Sequence, residues 1–244
     1  MRNPRIFTPQ VLASDVTLTL DEQASHHLSR VLRFQTGYTL TLFNGDGSEY
    51  PATITAVDKR SVTVAIAGKV ATDRESPFAI HLGIAISKGD RMDLVVQKAV
   101  ELGVASITPL LSERVEVRLH GERAEKKIQH WQGIVIAACE QCARNRVPQL
   151  NPIAALHDWI ADVQAERKFV LHHRSAIQLG TVATAPTSAA LLIGPEGGLS
   201  DSEISAAERA DFSPLRLGPR VLRTETAPLA AITVLQYAFG DLNR

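Results

Sequence analysis

The sequence predicts an α/β protein in two parts, a small β-rich module over residues 1–72 and an α/β domain over residues 73–244. Three observations predict it. Short alternating runs separated by turn signals fill roughly the first seventy residues. From Phe78 onward, apolar strand-like runs alternate with helical patterns. Between the two regimes lies KVATDRESP (69–77), a polar, charged stretch closed by Pro77 that reads as a linker.

In the first module, DEQASHHLSRVLRF (21–34) reads as a short helix with Leu28, Val31, Leu32 and Phe34 on one face. YTLTLF (38–43), PATITAV (51–57) and SVTVAIAG (61–68) read as strands, punctuated by NGDGSEY and DKR, and together they predict a small barrel. In the second part FAIHLGIAI (78–86) is a buried strand, SKGDRMDLVVQKAVELGV (87–104) a helix ending near Gly103, and ASITPLL (105–111) a second strand. A longer helix over 122–144 follows, then strands KFVLHH (168–173), AALLIG (189–194) and PLRLG (214–218). Such alternation implies a mostly parallel sheet covered on both faces, with ligands beyond the carboxyl ends of its strands.

A chain of 244 residues with 45% hydrophobic and 21% charged residues can bury a core without disulfides. No run approaches the ~20 apolar residues of a membrane span, and MRNPRIFTPQ lacks the apolar segment of a signal peptide, so a cytoplasmic location and no membrane association are expected. The 26 basic and 26 acidic side chains cancel, which counts against a chain-wide nucleic-acid footprint. Cys139 and Cys142 form a C-x-x-C late in a helical run, not at a helix start where the dipole would activate a thiol. They are expected to be structural.

Three strand ends, Leu171-His172-His173, Ile193-Gly194-Pro195 and Leu217-Gly218-Pro219, should lie together if their strands are neighbours. The middle one opens LLIGPEGGLSDSE (191–203), in which Ser200 and Glu203 form a capping box for a following helix. A helix start after a glycine-rich turn suggests phosphate, but Asp201 and Glu203 would repel it, and neither the P-loop nor the dinucleotide pattern is present. The turn fits a neutral or cationic ligand met through backbone groups, such as an adenine ring, a ribose or a sulfonium; a tight structural turn is the alternative. Glu196 would bond backbone amides or face an RNA-binding side. In LGPRVLRTETAPLAAITVLQYAFG (217–240), Thr226 would cap a final helix with Pro228 in its first turn. That helix is apolar on nearly every side, which predicts a homodimer interface or a fully covered core helix.

IGPEGGLSDSEI (193–204) followed by LRLGPRVLRTETAPLAAI (215–232) resembles the paired signature segments of the SPOUT methyltransferases, and more closely the bacterial family that methylates N3 of a uridine in 16S ribosomal RNA. RMDLVVQKAVELGV, SERVEVRL (112–119), ACEQCARNRVP (138–148), RIF (5–7) and HHLSRVLR (26–33) support the resemblance along the whole chain. It implies a PUA-like β-barrel for RNA contact, an α/β domain ending in a deep trefoil knot, S-adenosylmethionine bound in the knot, and a homodimer. Carried over by position, the cofactor pocket comprises Leu171, His172, Gly194, Pro195, Glu196, Gly197, Gly198, Leu217, Gly218, Leu222, Thr226 and Ala227.

Uracil N3 is a poor nucleophile until its proton leaves, so a methyltransferase of this kind needs an anion stabiliser and a proton acceptor. Arg223 is the candidate stabiliser; Glu225 would take the proton or hold Arg223, the bland alternative for both being a loop salt bridge. Candidate RNA contacts are Arg2, Arg5, Arg30, Arg33, Arg114 and Arg144, which could equally sit on solvated faces. Weak net charge predicts modest affinity for naked RNA and a substrate assembled into the small ribosomal subunit. Adjacent histidines on a strand point to opposite faces, so His26, His27, His172 and His173 predict no metal site. Other readings are a SPOUT enzyme acting on tRNA or a ribose 2′-oxygen, and a non-catalytic ribosome-assembly protein that binds RNA.

Overall fold

The computed structural model describes residues 3–117, 119–172 and 185–243; Arg2, Arg118 and His173 lie outside them. Two compact units divide the chain, Met1–Glu75 with Ile136–Val147, and Ser76–Val135 with Pro148–Arg244.

The first unit contains β1 (Arg5–Phe7), β2 (Val16–Thr19), α1 (Glu22–His26) running into a π-helical turn (His27–Val31), β3 (Thr39–Phe43), β4 (Ser48–Val57), β5 (Val62–Ile66) and β6 (Val70–Ala71). Its sheet runs in the order β1-β3-β4-β5-β2, with β6 on β4; the β1–β3 pair is parallel and the others antiparallel. Strict alternation in β5 buries Val62, Val64 and Ile66, which meet Leu40, Leu42, Ile54 and, from the helical segment, Leu28. The single helix expected over 21–34 is broken: Asp21 caps α1 through Ala24 N, and the ladder widens at His27.

Residues 136–147 were expected in the second part but pack with the first. Arg5 donates to Glu49 (2.7 Å) and Asn145, Arg74 donates to Glu49 and to Ala143 O (3.1 Å), Arg144 pairs with Glu75, and Phe7 N donates to Glu140 (3.0 Å). These bonds join residues far apart in sequence, which no local pattern reports.

The second unit contains β7 (Ala79–Ala85), α2 (Arg91–Glu101), β8 (Ser106–Leu111), the greater part of α3 (Glu122–Cys142), β9 (Gln149–Leu150), β10 (Ala154–Ala155), α4 (Leu156–Asp162), β11 (Arg167–Leu171), β12 (Ser188–Ile193), α5 (Asp201–Arg209), β13 (Ser213–Leu215) and α6 (Thr226–Phe239). The sheet order is β10-β8-β7-β12-β11-β13, with β9 on β8, and every pair is parallel. The central strand β12 buries Ala189 through Ile193 without interruption, as a parallel strand covered on both faces must. On one side Trp159 of α4 lies against Gly83 and tilts onto Phe212. Elsewhere α6 packs with α2, and Phe239 packs on Phe78.

Helix α6 buries Pro228, Ala231, Ile232, Leu235 and Gln236. Gln236 is fastened at both ends of its amide, accepting from Ser76 Oγ (2.6 Å) and donating to Gly103 O (3.2 Å). The helix is not covered all round: Val234 and Tyr237 are 39% and 62% exposed on one stripe. Its N-cap position is Glu225, without a side-chain cap bond, and Thr226 is the first helical residue instead of the expected cap.

Candidate functional site

Because β12, β11 and β13 are parallel neighbours, their carboxyl ends come together: Val170 pairs with Leu192, and Leu171 with Leu215. The turns leaving them enclose a cavity of about 280 Å³, close to the ~300 Å³ lower bound for small-molecule sites. The first strand end contributes Leu171 and His172, the glycine-rich turn Gly194, Pro195, Glu196, Gly197 and Gly198, and the last segment Leu217, Gly218 and Leu222, with Ala227 from the start of α6. Thr226 is not part of the lining; Thr224 is. Ile193, Leu199, Ile204 and Leu215 add an apolar floor absent from the sequence-based selection. They are ordinary core-type residues, and only the convergence of three turns marks them.

The glycines of the turn answer first to the chain itself. A Cβ on Gly194 would stand 2.9 Å from Leu199 Cγ and 3.0 Å from its backbone nitrogen. Gly198 has φ +69° and closes a tight turn by donating to Pro195 O (2.8 Å). The turn folds back on Leu199, and that closure gives the cavity its narrow wall.

The start of α5 is occupied by its own carboxylate. Glu203 is 1% exposed, and its two oxygens accept from Ser200 N and Glu113 N, both at 2.8 Å. With Ser200 Oγ accepting from Glu203 N, this completes the expected capping box and ties in the segment after β8. An anion at this helix start would meet a buried negative charge. The same segment sends Arg114 to the turn, where Nη1 donates to Gly197 O (2.9 Å) and Leu199 O (3.3 Å). Arg114, a candidate RNA contact by sequence, is thus a cavity-lining clamp on backbone carbonyls.

Beside the cavity, Arg91 at the start of α2 reaches two carboxylates: Nη1 is 2.9 Å from Glu196 Oε1 and Nε is 3.8 Å from Glu225 Oε2. Glu196 also accepts from Lys88 N (3.1 Å). Burial works to raise the Glu196 carboxyl, but backbone amides, including that of Lys88, and the Arg91 guanidinium hold it below the ordinary value. The other oxygen of Glu225 lies 4.0 Å from Arg223 Nη1. Glu225 is 19% exposed and Arg223 80%, and neither lines the cavity wall. Arg91, which the sequence reading passed over inside a helical motif, therefore links the glycine-rich turn to the residues preceding α6.

Two other predicted RNA contacts are turned inward within the first unit. Arg5 is 11% exposed, on Glu49 and Asn145, and Arg144 is 6% exposed, on Glu75. Arg30 and Arg33 are exposed, Arg33 with a left-handed φ of 54°. Burial pushes the Cys139 thiol up to about 12, in keeping with an inert side chain.

A model of the RNA methyltransferase domain matches residues 74–236, and a model of the RNA methyltransferase PUA domain matches residues 20–67. A protein of Buchnera aphidicola from Schizaphis graminum named ribosomal RNA small subunit methyltransferase E is 37% identical over 243 residues, 99% of each chain. This chain belongs to the ribosomal RNA small subunit methyltransferase E family. The Bacillus subtilis methyltransferase E is 30% identical over 240 residues, covering 95% of this chain and 94% of that one. Among solved structures, methyltransferase E of Neisseria gonorrhoeae, bound to S-adenosyl methionine, is 40% identical with TM-score 0.92, covering 99% of this chain and 100% of the other. A Legionella pneumophila chain solved with the bound cofactor SAM is 46% identical with TM-score 0.96, at the same coverage.

Proposed function

We propose that this chain transfers a methyl group from S-adenosylmethionine to N3 of a uridine in the 16S RNA of the small ribosomal subunit. The observation that carries this is the cavity at three adjacent strand ends, in a family whose solved members hold the cofactor. The cavity suits that group: leucine and isoleucine walls accept an adenine face, the turns offer backbone donors and acceptors, and the buried Glu203 carboxylate disfavours a phosphate-bearing ligand. When bound, the cofactor supplies an electrophilic methyl group on a sulfonium.

The residues of this chain then orient, exclude water and stabilise charge. Leu171, Leu217 and Leu222 shield the cavity from water. Arg223, exposed beside it, stabilises the uracil anion left when N3 gives up its proton to solvent water. Glu225 faces Arg223 with one oxygen and Arg91 with the other, which favours the holding role over that of proton acceptor. Arg91 in turn keeps Glu225 in register with Glu196 of the turn.

The first-unit sheet closes as a PUA-like barrel that contacts RNA through Arg30 and Arg33. The segment leaving β13 and the return of α6 onto α2 form a deep trefoil knot. The open stripe of α6, with Val234 and Tyr237, pairs two copies in a homodimer. The acceptor is an assembled small subunit, in the cytoplasm.

The test combines calorimetry with S-adenosylmethionine and transfer of labelled methyl to unmethylated small subunits. Micromolar or tighter cofactor binding with transfer is expected, and cofactor binding without transfer would favour a non-catalytic role. Arg223→Ala should bind cofactor normally and methylate at least tenfold more slowly; wild-type turnover would remove the role given to Arg223.

A further inference from the structure

With 26 basic and 26 acidic side chains, this chain attracts anions strongly only where charge is locally segregated. The segment FSPLRLGPRVLRT (212–224) is such a place: it holds Arg216, Arg220 and Arg223 and no acidic residue. It forms one wall of the cavity, with Arg216 and Arg220 in the lining. All three arginines are exposed. Arg216 commits only Nε, donating to Gly218 O at 3.2 Å. The Arg220 side chain has no hydrogen-bond or ion-pair partner among the described residues. Beside it Val221 is 88% exposed, an apolar side chain held out between cations at the cavity rim.

Guanidinium groups bind phosphate oxygens in a fork geometry that phosphate contacts commonly use. Three outward-facing guanidinium groups within eight residues exceed what a single cofactor carboxylate requires. They suit a strand carrying a negative charge at every nucleotide. An exposed valine between them offers a face to a base or a ribose. Arg114, by contrast, has its guanidinium on backbone carbonyls.

We propose that segment 212–224 grips single-stranded RNA at the cavity rim, with Arg216 and Arg220 on phosphates flanking the target nucleotide and Val221 packed against a base or ribose. This rests on the proposed methyltransferase function and adds a contact that positions the acceptor from the cofactor's own side.

The experiment measures binding of the full chain to unmethylated small ribosomal subunits at fixed magnesium, from 50 to 200 mM potassium chloride, with cofactor affinity followed by calorimetry. Each phosphate contact on single-stranded RNA contributes about 0.7 to the slope of log affinity against log salt. Arg216→Ala and Arg220→Ala should each lower that slope by about 0.7 and weaken binding roughly three- to tenfold, with cofactor affinity unchanged. Val221→Ser should weaken binding without altering the slope. Arg209→Ala, an exposed arginine at the far end of α5, should change neither. Wild-type affinity and slope in Arg216→Ala and Arg220→Ala would overturn the proposal, as would a loss of cofactor affinity with the RNA slope unchanged, which would assign these arginines to the cofactor carboxylate. Failure of the wild-type chain to methylate would instead overturn the function on which the proposal rests, and the two failures are read separately.

Discussion

Arg5 and Arg144 in the first unit are 11% and 6% exposed, each against a carboxylate, whereas Arg216 and Arg220 in segment 212–224 face solvent with no carboxylate partner among the described residues. The residue type is the same; the surroundings decide what it does. A guanidinium paired and hydrogen-bonded inside a unit cross-links distant segments and has little left for a ligand. One held out on an acid-free segment is available to an anion. Zero net charge therefore hides two populations, and counting arginines does not separate them.

The two populations of arginine should differ first in what they contribute to stability. Arg144→Ala leaves Glu75 without its ion-pair partner and should cost about 3 kcal/mol in chemical denaturation. Arg220→Ala should cost less than about 0.5 kcal/mol. Equal losses would mean that the two populations are not distinct.

The glycine-rich turn gives the next largest effect. Gly194→Ala forces a Cβ against Leu199 and should cost about 2 kcal/mol while weakening cofactor binding at least tenfold by calorimetry. An unchanged dissociation constant would show that closure on Leu199 does not shape the site.

Arg91→Ala tests the link beside the cavity. It should lower kcat about tenfold, about 1.4 kcal/mol, with cofactor affinity within threefold of wild type. In a Glu225→Gln background the further loss should be smaller than in wild type, since the Arg91–Glu225 contact is already broken and only the contact with Glu196 remains to be lost. Additive losses would separate the two residues.

The smallest effect is in the pH dependence. Burial works to raise the Glu49 carboxyl, but Arg74 and Arg5 hold it below the ordinary 4.5. A depressed carboxyl contributes stability that is fully present above its unfolded value and is lost as pH falls through its folded value. Glu49→Gln should therefore differ most from wild type in thermal midpoint above about pH 5, and the two should converge progressively as pH falls below the ordinary value and through the lowered folded one. A constant difference across that range would argue against the ion pairs as its source.

Much of the second unit was legible because its signals are local. Alternating strands and helices gave the parallel sheet, and Ser200 with Glu203 gave the start of α5. Three similar strand ends anticipated one cavity, since parallel neighbours place their ends together. What was missed depends on partners remote in sequence. Gly194 is explained by Leu199 folding back, Arg144 by Glu75, and Arg91 by Glu196 and Glu225. Strands β1 and β2, three and four residues long, carry too little alternation to be read alone. Thr226 has the residue type of a cap, but the chain places Glu225 at that position.

The most direct test is to incubate the purified chain with S-adenosylmethionine and unmethylated small ribosomal subunits, then map the modified 16S RNA by mass spectrometry. One uridine should gain a single methyl group at N3. Methyl groups on a ribose 2′-oxygen, on another base, or on no nucleotide of the subunit would contradict the account.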